Sequence, residues 1–258
     1  MLKNISKLNI VRIGSYITHS SLKEIGNGIL ESFKGTIKEF KVSHHDSPVL
    51  DNIDAHLLTM ILDEEYGGHT LGITDADLKT ENEFYNSIFG GKNPKNDVAV
   101  VSTKKLSPQE ITSDKEYDLF IGRTLKVSVH EVGHNFGLTD HASYKKALDG
   151  SLCPMSRGEY NKFGLRGYVR AIIDGRGLNF CDECIGFLSA IYDYKRSQTN
   201  LMKDALICPY FLYNTLGKKG QIQMAANLQG ANLQGAKLEG AILQEADLEG
   251  AILEKGKP

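Results

Sequence analysis

The segment 130–141, HEVGHNFGLTDH, concentrates three histidines and one glutamate within twelve residues. Residues four apart on a helix lie on one face, about one turn apart, so His130 and His134 can present two imidazoles to a single ion. Neutral imidazole is a good ligand for Zn²⁺, which favours tetrahedral coordination. Glu131 is turned away from the line of the two histidines, and its carboxylate can therefore reach a water rather than the metal.

The end of this segment predicts the rest of a catalytic site. Gly137 accepts the left-handed backbone that ends a helix, so we expect the chain to turn there and His141 to return as the third ligand. Three protein ligands leave a fourth position for water, as a catalytic zinc requires. Zinc lowers the pKa of water from about 15.7 to about 7. Glu131 then accepts the proton and passes it to the leaving amine.

Four cysteines are the second group of potential ligands: Cys153, Cys181, Cys184 and Cys208. In a reducing compartment, a C-x-x-C pair such as Cys181 and Cys184 indicates metal binding or redox chemistry rather than a disulfide framework. We favour metal binding for the pair, with a redox role as the rival, because no thioredoxin-like pattern surrounds it. Cys208 is either a further ligand or a buried apolar side chain.

The elements that must position these residues alternate between strand and helix. Alternation and β-branched residues predict strands over 8–14, 36–42, 70–74 and 98–103, with a loop over 90–96, and helical spacing predicts helices over 20–33, 51–65, 113–136 and about 181–202. Capping boxes are expected at Ser21 with Glu24 and at Ser113 with Glu116. The pattern favours an α/β fold, a mixed twisted sheet with packed helices. One helix, 113–136, carries the first two histidines.

The last part of the chain repeats every five residues. Six units over 226–255 follow the pattern Ala-x-Leu-x-x, beginning with Ala-Asn-Leu-Gln-Gly twice. This resembles the pentapeptide-repeat family, whose central leucine points into a right-handed β-solenoid. Repeat arrays are stabilised by stacking on neighbours, so a tail this short is marginal alone. Docking on the main domain, pairing with another chain, and fraying all stay open.

The order of motifs resembles the archaemetzincins, which are zinc metallopeptidases of the metzincin type. We interpret 130–141 as the metzincin signature H-E-x-x-H-x-x-G-x-x-H, and Met155 in Cys-Pro-Met as the methionine of the Met-turn. Segments 71–78, 88–90 and 98–103 are similar to that family's sheet. The resemblance covers roughly 8–210. It implies a zincin-like fold with a mixed sheet above, a small irregular C-terminal subdomain with the Met-turn below, and a cleft between.

The resemblance also implies a second, structural zinc held by four cysteines. Cys153, Cys181 and Cys184 match three of them. The fourth family cysteine directly follows the third histidine, and with His141 in that role the position is Ala142, a departure. Cys208 could supply the fourth ligand if the backbone is rearranged; otherwise the site is incomplete or lost.

Bulk composition bounds the remaining classes of function. The 258 residues are 41% hydrophobic and 24% charged, typical of a globular protein, and a formal net charge of −2 gives no overall case for nucleic-acid binding. No run approaches the roughly 18 apolar residues of a membrane span, and the N-terminus lacks a secretory signal pattern. We therefore expect a cytoplasmic protein with a peptidase domain over 1–214, a linker over 215–224 and a repeat tail over 225–258.

Two functions remain open at this stage. The first is a peptidase acting on a peptide substrate, without nucleic acid or membrane as partner. The second is an inactive zincin-like scaffold that acts through its repeats, whose self-association is one possibility. A nucleic-acid mimic is disfavoured because Lys237 and Lys255 interrupt the acidic character of the repeats. The residues do not distinguish aminopeptidase from endopeptidase action.

Overall fold

The computed structural model describes residues 5–14, 17–46, 51–80, 89–93, 95–108, 111–157, 164 and 166–191. All of them lie in the first of two units into which the chain divides, Met1–Thr199 and Asn200–Pro258. The linker, the repeats, Cys208 and the end of the helix expected over 181–202 lie outside the described residues.

One five-stranded sheet forms the centre of the first unit. The part of the chain that the structure describes has seven strands: β1 (Ile5–Ile13), β2 (Ile37–His45), β3 (Ile53–Asp54), β4 (Thr70–Thr74), β5 (Leu78–Lys79), β6 (Gly90–Lys92) and β7 (Val98–Ser102). The sheet has the order β2-β1-β4-β7-β6, while β3 and β5 form a separate parallel pair. Within the sheet, β6 pairs antiparallel with β7 and the other neighbours are parallel. β6 corrects the loop expected over 90–96.

Within the described residues the helices are α1 (His19–Ser32), α2 (Ala55–Tyr66), α3 (Asp114–Asn135) and α4 (Asp182–Ile191), with a π-helical segment at Val169–Ile173. α1 and α3 begin and end within one residue of the predicted bounds, whereas α2 begins four residues later than predicted, because Ile53–Asp54 form β3. The hydroxyl of Ser113 accepts from the backbone N–H of Glu116 at 3.3 Å, as the capping box requires. At α1 the predicted box is wrong, because Thr18 is the cap and accepts from the N–H of Ser21 at 3.2 Å.

Helices cover both faces of the sheet. On β7, Ala99 and Val101 belong to the core under α1 and α3, whereas Val98 and Val100 belong to the core under α2. All five residues of β7 are buried, which is typical of parallel strands covered on two sides. The predicted α/β class is confirmed. None of the helices within the described ranges is long and apolar enough to cross a membrane.

Candidate metal centres

The C-terminal half of α3 carries the histidine segment and ends as predicted. His130 and Glu131 are buried on this helix. Gly137 has a φ of +87°, and the N–H of Leu138 returns to the carbonyl of Gly133 at 3.0 Å. This closure uses one of the free carbonyls at the helix end. The chain therefore leaves the helix at a sharp turn and passes back across its last turn.

Backbone carbonyls fix the two helical histidines. Nδ1 of His130 lies 2.9 Å from the carbonyl of Pro154, and Nδ1 of His134 lies 2.8 Å from that of Leu138. A carbonyl can only accept, so each Nδ1 carries a proton, and in the neutral ring each Nε2 keeps a lone pair. The two Nε2 atoms lie 3.3 Å apart, and when both rings are neutral neither can donate to the other. A cation between them would satisfy both.

Asp140 supplies the third atom of this group. Its Oδ1 lies 3.5 Å from Nε2 of His130 and 3.5 Å from Nε2 of His134. The same oxygen is buried and has no hydrogen-bond partner within the described ranges. Ligand atoms about 2.0–2.1 Å from a tetrahedral zinc are about 3.3–3.4 Å from one another. The spacing of the three atoms therefore fits one zinc ion.

The structure corrects the predicted third ligand, because His141 does not join the two helical histidines. In the signature the third ligand follows the second histidine by six residues, and six residues after His134 stands Asp140. His141 lies one residue beyond, in extended backbone whose N–H donates to the carbonyl of Met155 at 2.9 Å. Successive side chains of extended backbone point in opposite directions. Asp140 therefore faces the histidines and His141 faces away from them.

His141 lies instead among three cysteines. Its Nε2 is 3.2 Å from Sγ of Cys181 and 3.2 Å from Sγ of Cys184, and the sulfurs of Cys153 and Cys184 are 3.9 Å apart. All four side chains are buried. Sulfurs about 2.3 Å from a tetrahedral zinc lie about 3.8 Å apart. The group fits a second zinc. His141 thus stands at the fourth ligand position of the structural site, which the sequence analysis placed at Ala142. The group has four ligands and does not need Cys208 as one of them.

Burial and neighbouring charges shift the pKa values of the residues around His130 and His134 in different directions. Burial raises the pKa of Glu131 to about 7 and lowers that of His130 well below its ordinary value. Burial opposes ionisation of Asp140, but its hydrogen bond with His134 and its electrostatic interaction with the two imidazoles lower its pKa to about 2. Burial likewise opposes protonation of His134, but Asp140 and Glu131 raise its pKa. The site is arranged to keep Asp140 charged and His130 neutral.

In the second group, each side chain changes the proton affinity of its neighbours. Despite burial, contacts with the thiols of Cys153 and Cys181 raise the pKa of His141 to about 10. Hydrogen bonds with Cys153 and Cys184 lower the pKa of Cys181, whereas contacts with Cys153 and Cys181 raise that of Cys184. Deprotonated sulfur is the form that binds zinc.

Two glycines allow close packing around the helix. A Cβ on Gly133 would lie 2.6 Å from Sδ of Met155, so the missing side chain lets Met155 pack against the turn between the two histidines. A Cβ on Gly90 would lie 2.6 Å from Cγ of Glu131. Gly90 therefore brings the edge strand β6 against the glutamate. Met155 has the location expected of a Met-turn methionine, whereas the role of Gly90 was not predicted.

Arg176 is the other residue near the site that sequence reasoning missed. Its side chain is buried, and its guanidinium donates to the carbonyl of Ser156, next to Met155. The local sequence Gly175-Arg176-Gly177 gave only a loop signal. Asp140, in contrast, had a clear signal, since it stands at the third ligand position of the motif.

Comparisons with known proteins match two parts of the chain to two families. Residues 29–149 match the family model "Peptidase family M54", and residues 224–255 match "Pentapeptide repeats", with eight copies counted where we count six full units. A curated archaemetzincin of Thermococcus kodakarensis is 40% identical over 70 residues, which are 27% of this chain. The match spans only 37% of that relative's length.

Solved archaemetzincins share the fold. That of Methanopyrus kandleri has a TM-score of 0.55 at 24% identity, over 72% of this chain and 94% of its own. That of Archaeoglobus fulgidus, complexed with malonate, has a TM-score of 0.50 at 20% identity, over 70% of this chain and 99% of its own. The resemblance to the archaemetzincins and the presence of pentapeptide repeats are therefore confirmed.

Proposed function

We propose that this chain is a zinc-dependent peptidase whose catalytic zinc is held by His130, His134 and Asp140, with Glu131 as the general base. The observation that carries the proposal is the convergence of two Nε2 lone pairs and one unpartnered carboxylate oxygen, 3.3–3.5 Å apart. The match of residues 29–149 to a peptidase family supports the same reaction.

Each residue has a defined task in this reaction. His130, His134 and Asp140 would hold a zinc ion, which would supply Lewis-acid polarisation of the scissile carbonyl and a more acidic water. The buried carboxylate of Glu131, with its pKa raised to about 7, accepts a proton from water near neutral pH and returns it to the leaving amine. The carbonyls of Pro154 and Leu138 hold the rings of His130 and His134 in the orientation that exposes Nε2.

The second group takes a structural role in the proposal. His141, Cys153, Cys181 and Cys184 supply four ligands, which leave no position for water or substrate. This group joins the chain after α3, the Met-turn and the start of α4. A zinc there would connect two irregular segments, the chain after α3 and the Met-turn, to the start of helix α4.

The C-terminal repeats belong to a separate part in the proposed organisation, a peptidase domain over 1–214, a linker over 215–224 and a tail over 225–258. The family match to residues 224–255 supports a repeat tail. The proposed substrate is a peptide, and the tail is a candidate for self-association. The alternative is a zincin-like scaffold without activity that acts through these repeats.

Elemental analysis combined with a peptide-library digest tests the proposal. We expect two zinc ions per chain, cleavage of peptides by the wild type, and cleavage at least about 100-fold slower by Glu131→Gln. Zinc binding without cleavage of any peptide would favour the scaffold. A metal-replete protein without zinc would overturn the catalytic proposal.

A further inference from the structure

Arg176 is a buried cation that none of the proposed catalytic steps uses. The residue is 4% exposed and follows the π-helical segment, and its backbone N–H donates to the carbonyls of Ile172 and Ile173. No salt bridge joins it to a carboxylate in the part of the chain that the structure describes. Burying a guanidinium is costly unless its charge and donors are used. Its position therefore calls for a function.

The guanidinium is directed at a single backbone atom of the Met-turn. Nε and Nη2 of Arg176 both donate to the carbonyl oxygen of Ser156, at 3.2 and 2.9 Å. Hydrogen bonds from a charged donor are stronger than neutral ones, and the two-pronged geometry restricts the carbonyl's direction. The backbone beside Arg176 holds the other end of the turn, because Leu152 donates to Gly175 at 3.0 Å and accepts from Gly177 at 2.8 Å.

The clamped segment, residues 152–156, positions two of the proposed zinc ligands. The carbonyl of Pro154 accepts from Nδ1 of His130 at 2.9 Å. The carbonyl of Met155 accepts from the N–H of His141 at 2.9 Å, and His141 is bonded to Asp140. A displacement of this segment would therefore move both the ring of His130 and the backbone of Asp140.

The charge of Arg176 also interacts electrostatically with the site. Burial lowers its pKa, and electrostatic interactions with the ionisable groups of Tyr168, Glu131 and Asp140 oppose that shift. Two of these groups are the carboxylates of the proposed catalytic centre. The cation thus offsets part of the negative charge that is buried there.

We propose that Arg176 is a positioning residue that fixes the Met-turn through the carbonyl of Ser156 and thereby sets the orientation of His130 and the location of Asp140. The inference rests on the proposed zinc site. Partners that orient metal ligands in this way change metal affinity by about 10–100-fold when they are removed.

The test compares Arg176→Met, Arg176→Lys and Arg170→Met in the full chain. Methionine keeps volume but removes charge and donors, and lysine keeps the charge without the two-pronged geometry. Arg170 is exposed on the π-helical segment and serves as the matched control. The first readout is the Nδ1–H proton of His130 in the metal-free protein, observed by NMR and assigned by its loss in His130→Gln. The second is zinc affinity, measured by competition with a chelator.

In the wild type and in Arg170→Met we expect a slowly exchanging His130 proton and equal zinc affinity. In Arg176→Met we expect the proton to shift or exchange rapidly and the affinity to fall about 10–100-fold, with Arg176→Lys intermediate. Unchanged NMR and affinity in either folded Arg176 variant would overturn the proposal. A wild type that binds no zinc would overturn the proposed function, while the NMR comparison would still decide whether Arg176 orients His130.

Discussion

Asp140 and His141 are neighbours in the chain, yet each faces a different group of potential metal ligands. Oδ1 of Asp140 lies 3.5 Å from both helical histidines, and Nε2 of His141 lies 3.2 Å from two cysteines. One peptide bond therefore connects the two proposed zinc centres. A carboxylate at the first centre adds a negative charge that a third imidazole would not supply.

This assignment predicts opposite results for two substitutions at adjacent positions. Asp140→Ala should remove one of two zinc ions and abolish cleavage, because the catalytic ion loses its only charged ligand. His141→Cys should keep both ions and cleavage, because a thiolate also binds zinc in a site of cysteines. Elemental analysis and peptide cleavage measure both. If Asp140→Ala kept activity and His141→Cys lost it, the original assignment of His141 would be right.

A second prediction concerns the general base. Glu131→Gln keeps the shape of the side chain but cannot accept a proton, so kcat should fall by about 10²–10⁴-fold. Zinc content should equal that of the wild type, because Glu131 is not a proposed ligand. Loss of zinc together with activity would show that Glu131 holds the metal and would contradict its role as base.

A third prediction follows from the burial of Glu131. In the metal-free protein its carboxyl should titrate with a pKa of about 7, raised from the ordinary value of 4.5 mainly by burial. The folded-state pKa lies above the unfolded one, so this group lowers stability progressively as pH rises from about 4.5 to about 7. The side-chain ¹³C shift of Glu131, followed by NMR between pH 3 and 9, measures the midpoint. A midpoint at or below 4.5 would mean that water reaches the carboxylate.

At the scale of the element, the edge strand β6 approaches α3 through a glycine. Gly90→Ala would place a Cβ 2.6 Å from Cγ of Glu131, so the glutamate must rotate away and activity should fall at least about tenfold. Gly122→Ala is the control, since nothing lies within 4 Å of the added Cβ and the residue is in the interior of α3. That change should stabilise the protein by about 0.5–1 kcal/mol, because alanine favours a helix over glycine.

Kinetics and thermal unfolding of the two alanine variants separate the effects. Equal activity of Gly90→Ala and the wild type would indicate that β6 can move away from the helix without consequence for the site.

Elements with strong local signals were predictable from the sequence. The continuous apolar run of β7 and the capping box at Ser113 identified a central strand and the start of α3. β6 was missed because Gly-Gly-Lys has no strand propensity, and it becomes a strand only by pairing with β7. The cap of α1 was misplaced because Thr18, Ser20 and Ser21 are all suitable caps and tertiary packing selects one.

The candidate site also contains some residues that the sequence predicts and others that it does not. The helical pair His130 and His134 follows from a spacing of four residues, and the sequence alone predicts it. The third ligand depends on the direction of a side chain beyond the helix end, where a shift of one residue reverses the face. Arg176 could not be predicted, because its contact with Ser156 joins two irregular segments that carry no periodic pattern.

At the scale of the whole molecule, the proposed centres lie in the first unit, and the family match to pentapeptide repeats lies in the second. An array of about six units buries little apolar surface alone, because each repeat is stabilised mainly by its neighbours. Pairing of two such tails would double the length of the array. Self-association is therefore the simplest role for the tail that requires no other partner.

Truncation after Gln223 should convert a self-associated protein into a monomer while zinc content and cleavage of short peptides change less than about twofold. In the repeat family the central leucine points inward, so Leu238→Asp should reproduce the truncation, whereas Gln234→Asp, at a position next to such a leucine, should not. Size-exclusion chromatography with light scattering across a range of concentrations measures the mass. A full-length chain that stays monomeric at every concentration would exclude self-association, and a truncated chain without zinc would show that the tail is needed to fold the peptidase domain.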